Sequence, residues 1–166
     1  MSAFEPRIFF IEGTRLAVMP RPVSGEWIED EFANIAKIGV NVVVSLLEPE
    51  EAEELGLGDE AELCEQNGIK LISFPIQDRC LPKSLNEFCD LIETIDEILN
   101  DGETVAVHCR AGIGRSGIVA AAILIRSGLE VAEAFTKVSA ARGMEVPDTN
   151  EQRHWIESNA DRFSSC

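Results

Sequence analysis

Cys109 and Arg115 are six positions apart, with Gly112 and Gly114 between them and Ser116 directly after, in the stretch VHCRAGIGRSG. These residue types suit one kind of chemistry. Glycines let a loop curl so that successive backbone N–H groups point inward and cradle an anion. A helix opening near Ser116 adds the partial positive charge of its N-terminus. A cysteine at the centre of such a cradle has its thiolate favoured, and a thiolate is a nucleophile. Arg115 can clamp two phosphate oxygens with its planar fork, a geometry lysine cannot copy. The stretch thus reads as a phosphate cradle around a nucleophile. The backbone of Arg110, Ala111, Gly112, Ile113, Gly114 and Arg115 would hold the phosphoryl oxygens.

Two other readings explain less. Gly112, Gly114 and Gly117 spell G-x-G-x-x-G, the dinucleotide fingerprint. That fingerprint needs a second strand with an acidic end about 20 residues on, whereas Leu129 to Ala141 reads as a helix. A purely structural turn would place the Arg115 cation at a helix start, where the dipole disfavours it.

The cradle needs a strand before it and a helix after it. ETVAVHC is a buried strand, and RSGIVAAAILIRSG is a helix with no charge between Ile118 and Ile125, so it should be enclosed on most sides. Upstream, RIFFIEGTRLAVMP gives two short strands around Gly13 and Thr14. SGEWIEDEFANIAKIG gives a helix with Ser24 as N-cap and Gly39 as its stop. VNVVVSLL and IKLISFPI are strands flanking two short acidic helices that part at Gly56 to Gly58. PKSLNEFCDLIETIDEILNDG carries Leu85, Phe88, Ile92, Ile95 and Leu99 on one stripe. EVAEAFTKVSAARG and DTNEQRHWIESNADRF are the last two helices, the second with Trp155, Ile156 and Phe163 inward. Strands alternating with helices predict an α/β fold, a mostly parallel central sheet flanked by helices.

The bulk numbers narrow the field. A chain of 166 residues suits one domain, 1–166. A net charge of −16 argues against nucleic acid and against an anionic membrane surface. The acidity reads mostly as solvated helix faces such as EPEEAEEL. No apolar run is long enough for membrane insertion, and MSAFEPRIFF lacks the pattern of a signal peptide. A cytoplasmic location is expected. Cys64, Cys80, Cys89, Cys109 and Cys166 are expected as reduced thiols, an odd count without C-x-x-C spacing. No metal and no cofactor is expected, because neither His108 nor His154 has a metal-ligand context.

HCRAGIGRSG resembles the H-C-x5-R-[S/T] signature of cysteine-dependent protein tyrosine and dual-specificity phosphatases. FPIQDRCLP is similar to that family's general-acid loop, and VPDTNEQRHW to the closing segment of its compact bacterial and atypical members. The resemblance implies the parallel-centred fold already read from the elements. It implies a metal-independent phosphomonoester hydrolase acting on a phosphorylated protein or a small phosphomonoester. There is no counterpart of the phosphotyrosine-recognition loop of the larger tyrosine phosphatases, which favours a shallower, dual-specificity-like site. Arg110 matches one of two basic positions common in lipid- and inositol-phosphate-directed relatives, but Ile113 stands at the other. An inositol phosphate or phosphoinositide phosphatase therefore stays as an alternative. So does a pseudophosphatase that only binds phosphate.

On this resemblance Cys109 is the nucleophile, Arg115 the phosphate clamp and Ser116 a hydrogen-bond donor to the Cys109 sulfur, unless Ser116 is only a helix cap. His108 would fix the loop. Asp78 is the general acid: it follows one strand at its C-terminal end as Cys109 follows another, and those ends share a sheet edge. Gln152 would position the attacking water, although Thr149-x-x-Gln152 also spells a capping box. Arg21 and Arg142 are further site-lining candidates. Cys80, two residues beyond Asp78, is a candidate redox partner for Cys109.

Overall fold

The structure, a computed structural model, describes residues 7–165. Cys166 and the first six residues, on which part of the signal-peptide reading falls, lie outside the described residues. Five strands form one sheet: β1 (Phe9–Phe10), β2 (Leu16–Met19), β3 (Val42–Ser45), β4 (Lys70–Ser73) and β5 (Val105–His108). Their order is β1-β2-β5-β3-β4, and only β1 runs antiparallel to its neighbour. Every residue of β2, β3 and β5 is buried. This explains why they read as continuous apolar runs rather than alternating ones, since both faces of a parallel sheet are covered.

Alternate side chains go to opposite layers. Leu16, Val18, Val42, Val44, Val105 and Val107 pack with α4 (Leu85–Asn100), α5 (Arg115–Arg126), α6 (Val131–Arg142) and α7 (Asn150–Ser165). Ala17, Met19, Val43 and Ala106 face the other side, against Phe32 and Ile35 of α1 (Ile28–Ile38) and Leu63 and Cys64 of α3 (Glu60–Gln66). Helix α5 runs through the middle of its layer and is buried at every position from Arg115 to Ile125. That matches its charge-free sequence. Trp155 and Phe163 of α7 pack edge-on around Phe88 of α4, with ring centroids 5.0 and 5.5 Å from it.

The helix ends follow the sequence with one exception. Gly39 stops α1 in the left-handed conformation, its N–H returning to Ile35 and Ala36. Ser84 caps α4 through its hydroxyl, 3.1 Å from the Glu87 N–H. Ser24 does not cap α1, whose first residue is Ile28 after Trp27. A turn from Gly25 to Ile28 precedes the helix, and Ser24 packs instead against Gly56, where an added Cβ would lie 3.0 Å from its side chain.

Register fixes where the chemistry gathers. Met19 and Ser45 both pair with His108, so β2, β3 and β5 end level. The loops leaving all three strands emerge on one edge, and Phe74 after β4 bonds back to Ser45 on that edge.

Candidate active site

Residues 109–114 leave β5 at this edge and curl into α5. Neighbouring loops hold the curl. Arg21 N–H donates to the Arg110 carbonyl at 3.1 Å, and Arg142 Nη2 donates to the Ala111 carbonyl at 3.1 Å. Leu46 N–H donates to the His108 carbonyl at 3.0 Å. Gly112 has φ +73°, and a Cβ there would meet the Met19 carbonyl carbon at 2.6 Å. Only glycine fits so close to another backbone. At Gly114 a Cβ would meet Asp148 Cβ at 2.9 Å and Gln152 Oε1 at 3.0 Å.

Cys109 is 2% exposed, and the Ser116 hydroxyl donates to its sulfur at 3.1 Å. Ser116 is the second residue of α5, whose N-cap is Gly114. The hydroxyl therefore serves the sulfur, and the N-cap alternative does not hold. Behind the loop, His108 is fully buried. Its Nδ1 lies 3.3 Å from the Cys109 carbonyl, and its Nε2 lies 2.6 Å from Glu60 Oε2 on α3. Both ring nitrogens thus face oxygens. The two contacts fix the ring between the loop and α3.

Arg115 is 1% exposed and fully engaged. Nη1 lies 2.7 Å from Glu51 Oε1, and Nη2 lies 2.9 Å from Glu51 Oε2. Nη1 also donates to the Ile76 carbonyl at 2.8 Å, and Nη2 to Asp78 Oδ1 at 3.1 Å. Burial works to lower the Arg115 guanidinium, but its hydrogen bonds to Glu51 and the charges of Cys109, Glu51 and Asp78 outweigh it and hold it above its ordinary value. For Glu51 burial works upward. The Arg115 hydrogen bonds and charge, the Glu48 N–H and the charge of Arg110 overcome it, so the carboxyl lies below its usual range. The fork geometry fixes the orientation of the guanidinium.

Asp78 stands opposite the cradle on the segment after β4, tied down by Ile76 N–H to the Leu46 carbonyl at 3.0 Å. A turn closes from Cys80 N–H to the Gln77 carbonyl at 3.0 Å, with Arg79 at φ 61°. Non-glycine residues rarely take that conformation, and those that do concentrate at functional sites. The turn is fastened to the segment before α7: Arg79 pairs with Asp148 at 3.1 Å, and Gln152 Nε2 donates to the Cys80 carbonyl at 3.3 Å. Gln152 also completes the capping box with Thr149. It caps α7 and touches the site's rim at once.

The structure therefore brings Cys109, Arg115, Ser116, Asp78, the 110–114 backbone, Gln152, Arg21 and Arg142 to one edge. The sequence reading missed Glu51 and Glu60. Glu51 lies in the acidic run EPEEAEEL taken as solvated and Glu60 opens the second short acidic helix, and both turn inward. Among the described residues Cys64, Cys80, Cys89 and Cys109 form no disulfide. Among the described residues no group of three or more His, Cys, Asp or Glu side chains forms a metal site, and no helix is long and apolar enough to cross a membrane.

The family model described as polymorphic toxin system, DSP-PTPase phosphatase, matches residues 17–129, more than half of the chain. The chain belongs to the DSP-PTPase phosphatase family. Its match runs from β2 to just beyond α5 and so contains the cradle, Asp78 and both inward-turned glutamates. Among curated relatives of this phosphatase domain, putative tyrosine phosphatase 197R of Invertebrate iridescent virus 6 is 36% identical over 114 residues, covering 63% of this chain and 42% of that protein. Mouse dual specificity protein phosphatase 2 is 38% identical over 77 residues, 46% of this chain and 24% of that one. The chain thus spans less than half the length of these relatives. Among solved structures, Tk-PTP in the active form is 30% identical with a TM-score of 0.80, over 96% of this chain and 99% of that one. Kinase associated phosphatase superposes with a TM-score of 0.88 over 99% of both chains at 17% identity, a likeness of fold.

Proposed function

We propose that the chain, as one domain over residues 1–166, hydrolyses phosphomonoesters on phosphoproteins through a phosphocysteine intermediate. The observation that carries this reading is the sulfur of Cys109, bonded to the Ser116 hydroxyl at 3.1 Å, at the base of a curl whose arginine reaches Asp78 on the facing loop. In the first step the Cys109 thiolate attacks phosphorus in line while the bond from phosphorus to the ester oxygen breaks. Asp78 gives its proton to that oxygen, and the alcohol or phenol departs. Arg115 and the 110–115 N–H groups hold the equatorial oxygens, where charge is stabilised. In the second step water attacks phosphorus as the phosphorus–sulfur bond breaks, and inorganic phosphate is released. The water proton passes to Asp78, and the thiolate leaves with the Ser116 hydrogen bond on it. Gln152 orients that water from the rim.

No step in this scheme calls on a metal or cofactor. The reading fits a reducing compartment such as the cytoplasm, where thiols like Cys64 and Cys80 stay reduced.

The test is turnover of p-nitrophenyl phosphate in EDTA by the wild type and by Cys109→Ser. Wild-type turnover with none from Cys109→Ser, which still binds oxyanions, supports the reading. An alkoxide is much harder to form near neutral pH than a thiolate. Near-wild-type rates from the serine variant would end the cysteine mechanism. A binder without activity would give no turnover at all. A panel of phosphotyrosine, phosphoserine and phytate then separates phosphoprotein from inositol phosphate substrates.

A further inference from the structure

Arg79 has φ 61°, and among the described residues no other side-chain-bearing residue has a positive φ. That conformation costs free energy wherever a Cβ is present, and it persists only where the surroundings hold it. Glycine would close the same turn without that cost. In its place stands a long cation whose Nη1 lies 3.1 Å from Asp148 Oδ2, 69 residues further along the chain. The turn thus keeps a strained residue whose side chain reaches another segment.

Asp148 is seated against the catalytic curl. A Cβ built on Gly114 would come within 2.9 Å of the Asp148 Cβ. One ion pair therefore joins the residue after Asp78 to a residue packed on the cradle. Asp78 has little else to hold it. Its side chain is 46% exposed, and its one ion pair with a described residue is to Arg115. To act as the acid Asp78 must carry a proton, and a neutral carboxyl is no longer drawn to a guanidinium. The Arg115 donors are by then shared with the phosphate. Placement of the acid falls to its backbone. Upstream, the Ile76 N–H bonds the Leu46 carbonyl at 3.0 Å. Downstream, the turn is tied by Arg79 and by the Gln152 bond to the Cys80 carbonyl.

We propose that Arg79 is a positioning residue for the general acid: its ion pair with Asp148 clasps the turn that carries Asp78 at a fixed place over the cradle. The inference rests on the phosphatase reading and adds a residue to it that touches no reacting atom. The pair is exposed, with side chains 63% and 36% accessible, so its hold is modest and weakens with salt. Its effect is confined to the proton that Asp78 delivers. A leaving group that is stable as an anion hardly needs that proton, and a poorer one does.

The experiment compares leaving groups in Arg79→Asn. Asparagine takes positive φ more readily than most residues, so the turn is kept while the clasp is lost. The ratio kcat/KM reports the first step, in which Asp78 gives up its proton. It should fall about fivefold on phenyl phosphate, the size an exposed ion pair supports, and less than about twofold on p-nitrophenyl phosphate. Added salt should narrow the gap between variant and wild type. Arg79→Lys, which keeps the charge, should recover most of the loss. In an Asp78→Asn background Arg79→Asn should cost nothing further, because no acid remains to be placed. Wild-type activity of Arg79→Asn on phenyl phosphate, an equal loss on both substrates, or a loss that persists in the Asp78→Asn background overturns the proposal. If the wild type does not turn over p-nitrophenyl phosphate, the phosphatase reading fails. Amide hydrogen exchange over residues 77–80 still reads the clasp: faster exchange in Arg79→Asn supports it, and equal exchange overturns it.

Discussion

Glu51 and Arg115 meet fork to fork, with one oxygen on each terminal nitrogen at 2.7 and 2.9 Å, although they are 64 residues apart. The pair orients the proposed phosphate clamp from behind, and it makes that clamp depend on a residue outside the 109–115 curl. Arg115→Lys should lose at least about 100-fold in kcat, because a point charge replaces the planar donor set. Glu51→Gln should cost about 1–3 kcal/mol of stability, because the buried guanidinium loses its charged fork partner while keeping Asp78 and the Ile76 carbonyl. The Glu51 carboxyl lies below its ordinary value, so its contribution is complete at neutral pH and disappears as pH falls through that lowered value. Urea titrations from pH 7 down to pH 3 should show a wild-type decline that Glu51→Gln lacks. Parallel pH profiles in the two proteins would refute the assignment.

Asp78→Asn tests the acid through its leaving group. An alkyl oxygen departs only with a proton, whereas nitrophenolate is stable without one. The variant should lose about 10²–10⁴-fold on phosphoserine and phosphotyrosine peptides but much less on p-nitrophenyl phosphate. The alkaline limb of its pH–rate profile should flatten. An equal loss on all leaving groups would make Asp78 a turn residue.

Glu31 behaves in the opposite sense to Glu51. Burial pushes its carboxyl up, offset in part by the Val23 N–H and the Arg7 charge, and its Oε1 is buried without a partner. A raised carboxyl stabilises the fold while protonated and loses that contribution as pH rises through the folded value. Glu31→Gln should therefore gain about 1 kcal/mol over wild type at pH 7, and the gap should narrow towards pH 4. A variant less stable than wild type at pH 7 would show that the Arg7 attraction outweighs burial.

Cys64 should be chemically silent. Burial, and the charge of neighbouring Glu60, push its thiol up to about 12. Iodoacetamide at pH 8 should leave Cys64 unmodified in the folded protein and label it after denaturation, as read by mass spectrometry of peptides. Rapid native labelling would mean that α3 opens and that the Glu60–His108 contact is transient.

The sequence made most of this site legible because its chemistry needs unusual residues. Gly112 and Gly114 stand where a Cβ would strike a neighbouring loop, so the glycine spacing directly records the curl. Asp78 was found by topology, from strands that end on one edge. Glu51 and Glu60 were hidden by composition. In EPEEAEELGLGDEAEL every second residue on average is a carboxylate, and little in the local pattern separates the two that pair inward from those in water. A faint signal existed for Glu60, which stands three and four residues before Leu63 and Cys64 and so shares the buried face of α3. None existed for Glu51, whose orientation is set by Arg115. Ser24 misled because its type suits a cap while its turn sends it to Gly56.

The strand order carries a consequence for how the protein comes into being. β2 and β3 are consecutive in the chain but not in the sheet, because β5 lies between them and pairs with both. During synthesis the first four strands emerge while the central slot is still empty, and such non-local pairing is slow to form. The cysteine enters last, on the strand that closes the gap, and its cradle exists only after α5 has followed. In a nascent or partly folded chain Cys109 therefore lies outside any cradle, and the site is assembled only as the sheet is completed.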